Sequence, residues 1–212
     1  MTLIVSDLGD SERRFSEPNL SGRHVYLRAV LPEDLRSIRM IDLSAELGVR
    51  FRHRGATPGM AQWTQSSDSA LAQFLIVRSD DNRPIGLAAI YEPSFQDQYA
   101  HFAAAMFGKA GRSPLAVMGC VLAIEYAFKC WAFRKLYLEL PAYNLDQISA
   151  GLGRMFVEEG RLREHMYYDG HWWDKVVLAL YRNTWEERSA RLVKAALPPP
   201  SRQAKVTLAP QP

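Results

Sequence analysis

The chain has 212 residues, 48% of them hydrophobic, with 26 basic against 23 acidic side chains and a net charge of +3. That length is enough for one domain with a substantial core, and the composition excludes a disordered chain. The mild charge excess does not by itself imply a nucleic-acid partner.

Residues 1–20 are polar, mixed in charge and without sustained period, so they read as a flexible arm. No basic segment followed by an apolar run begins the chain, so no signal peptide is expected. His24 to Val30 alternates as a first strand. Pro32, Glu33 and Asp34 look like the start of a helix that ends near Leu47 and Gly48. Arg50, Arg52 and Arg54 then recur at every second position. If extended, they place three guanidinium groups on one side, either as an ordinary solvated charge run or as a lip that contacts an anionic substrate. Thr57 and Pro58 open a second short helix.

Ala70 to Val77 and Ile85 to Tyr91 are strands joined by the turn residues 80–84, and a further turn over 93–98 leads to a strand from His101 to Phe107. Next comes GKAGRSP and the apolar stretch LAVMGCVLAIEYAF. Ser113 can cap the long helix, and Pro114 suits its first position, where a missing N–H costs little. A helix N-terminus flanked by Lys109 and Arg112 is either an anion-binding turn or a plain strand-to-helix connection. Glu125 and Lys129 interrupt the apolar run, so a core helix is expected rather than a membrane span. Cys120 and Cys130 lie ten residues apart on this helix and point in different directions, which argues against a disulfide or a metal site and suits a reducing cytoplasm.

Residues 134–140 form another strand, and a weaker helix covers about 145–155. Strands follow over 156–167 and 173–181, joined through Asp169 and Gly170. Thr184, Trp185, Glu186 and Glu187 match a capping box for a final helix to about Leu197, and 198–212 reads as a disordered tail. Residues 21–197 are therefore the folded domain.

Three pieces, IEYAFKCWAFRKLYLEL, YNLDQISAGLGRMFVEEGRLREH and YYDGHWWDKVVLALYRNTW, occur in order and at the right spacing. Over roughly residues 21–185 the chain resembles the GNAT superfamily of N-acyltransferases, closest to its ribosomal-protein-acetylating branch. The resemblance implies an α+β fold with a seven-stranded mixed sheet flanked by helices, whose fourth and fifth strands splay apart. It implies acetyl-coenzyme A or another acyl-coenzyme A as co-substrate, no metal, and an amine acceptor that is a small molecule or a protein N-terminus. Dimerisation is common in the family.

Carried onto this sequence, the donor would meet Met106, Phe107, Gly108, Lys109, Gly111, Arg112 and Ser113, with Asn144 against its pantetheine arm. Family members often carry a glutamate at the position of His101 that takes the amine's proton through water, and a histidine can do the same. Glu139 and Tyr143 are further catalytic candidates, and Tyr167 and His171 lie on the hairpin that overhangs the acceptor. The chain also departs from the family. Arg112 and Pro114 stand where the phosphate loop has close-approach glycines, Gly151 where a tyrosine often acts as acid, and Met155 where a glycine precedes the aromatic. A proline donates no N–H, so weakened binding of free coenzyme A is expected. Two alternatives follow: an acyl donor carried on tRNA or on an acyl carrier protein, with the arginines meeting the polyanion, or a non-catalytic binding module with this fold.

Overall fold

The structure is a computed structural model that describes residues 20–42, 70–107 and 113–197. The arm before residue 20, the Arg50, Arg52 and Arg54 run, the short helix after Thr57, the loop residues Gly108, Lys109, Gly111 and Arg112, and the C-terminal tail lie outside them.

Eight strands form one sheet: β1 (Leu20–Ser21), β2 (Val25–Ala29), β3 (Ala70–Arg78), β4 (Pro84–Ser94), β5 (Tyr99–Met106), β6 (Lys135–Pro141), β7 (Val157–Tyr168) and β8 (His171–Tyr181). Their spatial order is β1-β2-β3-β4-β5-β6-β8-β7. Every neighbouring pair is antiparallel except β5 with β6. The strand beyond the expected seven is β1, two residues paired with β2 at the margin of the region read as an arm.

Strand alternation divides the sheet into two faces. Leu27, Phe74, Ile76, Ile90, Phe102, Leu136 and Leu180 are buried together with α2 (Pro114–Cys130), which is the core helix. Ser113 caps it as expected, its Oγ accepting from the Leu115 N–H at 3.2 Å, and Pro114 follows at the first helical position. Gly119 lies against β3, where a Cβ would overlap the Ile76 side chain, so the close approach of helix and sheet requires glycine. On the opposite face α1 (Leu35–Asp42) sets Ile38 against Leu75 and Val77. A single 3₁₀ turn, Pro32–Asp34, precedes α1, and Arg28 grips Asp34 through both carboxylate oxygens at 2.6 and 2.7 Å.

Two expected helices differ from the sequence reading. The segment after β6 is a 3₁₀ run, Ala142–Gly151, in place of an α-helix over 145–155. Its polar residues bond locally, Gln147 to Asn144 at 3.2 Å and the Ser149 hydroxyl to the Asp146 carbonyl at 2.8 Å, which competes with regular helix formation. The capping box at Thr184 is not used. Helix α3 (Arg182–Arg188) begins two residues earlier, and the chain breaks at Ser189 before α4 (Ala190–Ala196). Arg182 fixes that start. Its backbone N–H bonds the Arg134 carbonyl at 2.9 Å, and its guanidinium donates to the carbonyls of Phe128, Trp131 and Phe133 at 2.6 to 2.7 Å. One side chain thus satisfies orphan carbonyls at and just beyond the end of α2 and ties that end to β8.

The tip at Asp169 and Gly170 has both residues at positive φ, 50° and 76°, as a tight two-residue hairpin turn requires. At the outer edge of the sheet, β7 is exposed along most of its length and carries register shifts at Glu158/Gly160 and Leu162/Met166.

Replacing Arg182 with alanine is expected to destabilise the fold by about 1.5–3 kcal/mol, because buried carbonyls lose charged hydrogen bonds. The check is a lower urea midpoint at unchanged slope.

Candidate active site

The parallel ladder between β5 and β6 is three pairs long: Tyr99 with Lys135, Ala100 with Leu136, and His101 with Tyr137. Beyond it, β5 stays paired with β4 as far as Met106, and β6 stays paired with β8 as far as Pro141. The base is held by the Arg134 N–H on the Gln98 carbonyl at 2.6 Å and by Arg134 Nε on the Asp97 carbonyl at 3.1 Å. Each strand keeps its antiparallel partner and follows that partner's twist, so the two diverge above the ladder. The expected splay is present, and it leaves facing strand edges whose peptide groups can receive an extended, amide-bearing chain.

His101 sits at the vertex. In register, Tyr91 of β4 lies on one side and Tyr137 of β6 on the other, with ring centroids 5.4 and 5.5 Å from the imidazole. Tyr99 meets it edge-on at 6.0 Å. His101 Nδ1 is buried and has no hydrogen-bond partner among the described residues. Two residues beyond Tyr137 on the same face, Glu139 is ion-paired with Lys175. Burial first, then the Glu139 and Glu92 charges, push the Tyr91 phenol up to about 12. Below the vertex, the buried Lys135 ammonium bonds both Glu159 oxygens, at 2.7 and 3.1 Å, and lies 4.3 Å from the Tyr137 ring centre. Burial raises the Glu159 carboxyl, but hydrogen bonds from Lys135 and Tyr181 outweigh it and hold the group below its ordinary range.

The far end of the cleft differs from an open anion cradle. At the start of α2, Pro114 has no N–H, the Leu115 N–H is taken by Ser113 Oγ, and the Ala116 N–H by the Ser113 carbonyl at 3.0 Å. Met106 packs against the core around α2, and Phe107 against the Leu75 and Val77 cluster while its N–H bonds the Ile85 carbonyl at 2.8 Å. Asn144 accepts from Gln147 through Oδ1.

The Tyr143 ring packs at a tilt against Tyr168 and edge-on against Trp173, with centroids at 5.3 and 5.2 Å. His171 Nδ1 lies 2.6 Å from the Asp169 carbonyl, and Tyr167 packs edge-on against Trp172. Gly151 lies under Phe156, whose ring would be only 2.7 Å from a Cβ there. The Phe156 ring thus fills the space a larger residue at 151 would need.

The structure therefore gathers His101 and Glu139 on one face of the sheet and sets Tyr143, Tyr167 and His171 around the hairpin. Sequence reasoning missed Tyr91, Tyr99, Tyr137 and Lys175. Alternation does carry that signal, since Tyr137 and Glu139 share a strand face.

No protein-family model matches the sequence, and no curated protein sequence matches it. Solved structures do. A spermidine N-acetyltransferase from Vibrio cholerae in complex with CoA and spermine superposes with a TM-score of 0.67 at 20% identity, covering 77% of this chain and 98% of that one. A chimera of that enzyme with hSSAT gives 0.67 at 20% identity, covering 78% and 99%. A protein of T. thermophilus named as an acetyltransferase gives 0.64 at 19% identity, covering 82% and 94%. The chain has the GNAT acetyltransferase fold. In GNAT terms, β5 and β6 are the splayed central strands, and His101 stands at the point where they part.

Because the Tyr91 phenol has a raised pKa, it should remain protonated until about pH 12, and its contribution to stability should be full below about pH 10 and lost as pH rises through 12. The difference between the ultraviolet alkaline titrations of the wild type and Tyr91→Phe checks this. A Tyr91 signal at pH 10 would show an open, hydrated phenol.

Proposed function

We propose that the protein is an N-acyltransferase that moves an acyl group from an activated thioester to an amine. The observation that carries this reading is the parting of β5 and β6 at a half-buried histidine. In the cleft the donor's amide arm lies between the diverging strands, near Asn144, and its carbonyl comes to the vertex. The amine nitrogen attacks that carbon, an N–C bond forms, and the C–S bond breaks with its electron pair leaving on sulfur. The proton lost by the amine goes to His101. With Nδ1 sealed among the rings, Nε2 is the nitrogen left to exchange protons with the cleft. The thiolate is a competent leaving group without an acid at position 151, where Phe156 fills the space.

Coenzyme A is the donor that the fold favours, and one of the similar structures is a CoA complex. The strand edges suit its pantetheine arm. The described helix start has its first N–H groups already bonded, so the diphosphate must rely on the loop at 108–112 and its Lys109 and Arg112. That observation favours a second reading in which the acyl group arrives on a carrier protein or on tRNA, with Arg50, Arg52 and Arg54 meeting its phosphates. The acceptor is an amine, on a small molecule or a protein N-terminus, and the sequence motifs support the ribosomal-protein-acetylating branch. We assign the protein to the cytoplasm on its two free thiols. No helix among the described residues is long and apolar enough to cross a membrane.

His101→Ala should lower kcat by about 10²–10⁴-fold. Unchanged kcat across pH would reduce His101 to a packing residue.

Calorimetric titration with acetyl-coenzyme A should give affinity weaker by about tenfold or more than an intact phosphate loop would, since each lost hydrogen bond to a charged group costs about 1.5–3 kcal/mol. Low-micromolar binding would favour the ordinary donor. Undetectable binding with salt-sensitive retention of aminoacyl-tRNA would favour the carried one.

A further inference from the structure

The face of the sheet in front of His101 has its own chemistry, which the fold does not dictate. Strand alternation and register place Tyr91, His101 and Tyr137 side by side. Further along the same face, Glu139 of β6 reaches Lys175 of β8. Beyond that pair, Trp173, two residues before Lys175 and so on the same face, receives the Tyr143 ring, which also contacts Tyr168. The strip therefore runs from phenol rings, across one ion pair, to a second aromatic group at the hairpin. Its two carboxylates are each matched to an ammonium: Glu139 to Lys175, and Glu159 to Lys135, with Tyr181 added. Glu92, exposed at the β4 irregularity, stands at the rim.

We infer that this face accepts an amine with a single positive charge on an aromatic or apolar body, and that it rejects polyamines, the acceptor class named for the spermidine acetyltransferases that share the fold. The inference rests on the acyl-transfer reading above. A polyamine needs unpaired carboxylates spaced along its length. Among the described residues Glu92 at the rim is the one carboxylate of this strip without an ion pair, so ammonium groups beyond one placed there would have to break an existing ion pair or lie unpaired against aromatic rings, and both cost free energy. A lone ammonium near the phenol faces gains a cation–π contact, and its apolar body can stack on Tyr143 and Trp173.

The test reads binding before transfer. Calorimetry on the full chain, without acyl donor, uses 2-phenylethylamine, a Phe-Ala-Ala peptide amide and spermidine. The better of the two aromatic amines should bind about tenfold or more tightly than spermidine, a difference of about 1.4 kcal/mol. Which of the two leads decides between a small-molecule acceptor and a peptide N-terminus. Trp173→Leu should weaken the aromatic amine about two- to tenfold and leave spermidine unmoved. Lys175→Met, which frees Glu139, should strengthen spermidine about two- to fivefold and the aromatic amine less, narrowing the gap between them. Spermidine binding as well as or better than both aromatic amines in the wild type overturns the inference, as does undetectable binding of both aromatic amines. A separate transfer assay keeps the two proposals apart: selective binding without acylation would sink the acyl-transfer reading alone, and acylation with the opposite selectivity would sink this inference alone.

Discussion

The structure depends on a parallel contact three residues long. If Tyr99–His101 and Lys135–Tyr137 did not pair, the sheet would separate into two antiparallel halves, one running to β5 and the other starting at β6. If they paired along their whole length, the cleft would close. The contact is held from below. Arg134 bonds the carbonyls of Asp97 and Gln98, and Arg182 bonds the carbonyls of the turn that delivers the chain from α2 to β6. It is released from above, because each strand already has an antiparallel partner.

Charge is buried around this contact only where it is matched. Lys135, 6% exposed, has two carboxylate oxygens and a ring face within reach, and Arg182 has three carbonyls and the Phe128 ring. Such groups stabilise less by their own attraction than by the damage that follows when one partner is removed. His101 Nδ1 departs from the rule, a buried polar atom without a hydrogen-bond partner among the described residues, at the point where the strands part. An unsatisfied polar atom is costly to keep in a core, and its place at the cleft vertex ties that cost to the site.

Much of this was legible in the sequence. Alternation located β2, apolar stretches between turn residues located β3, β5 and β6 to within a residue or two, Ser113 and Pro114 marked the start of α2, and Asp169 and Gly170 marked the hairpin. The misses share a cause. The 3₁₀ run after β6 and the early start of α3 are set by bonds between residues near and far in the chain, Ser149 with Asp146 and Arg182 with Phe128, Trp131 and Phe133, which outweigh local propensity. In the site, His101 was visible by position, but the rings that flank it come from two other strands and need the register to be seen. The loss of space at residue 151 was equally hidden, because it depends on where the Phe156 ring lies.

The interrupted course of β7 bears on how the protein behaves in a crowd. A straight, unbroken outer strand offers its free peptide groups to any other strand, which is how sheets grow into fibres. Here Asp174 ties the Glu164 N–H at 3.0 Å within the second irregularity, Glu164 itself sits at positive φ, and Arg161 bonds Glu158 and Asp174 along the rim. These irregularities break the run of free peptide groups along β7 and so make this border a poorer template for edge-to-edge growth than a straight strand would be.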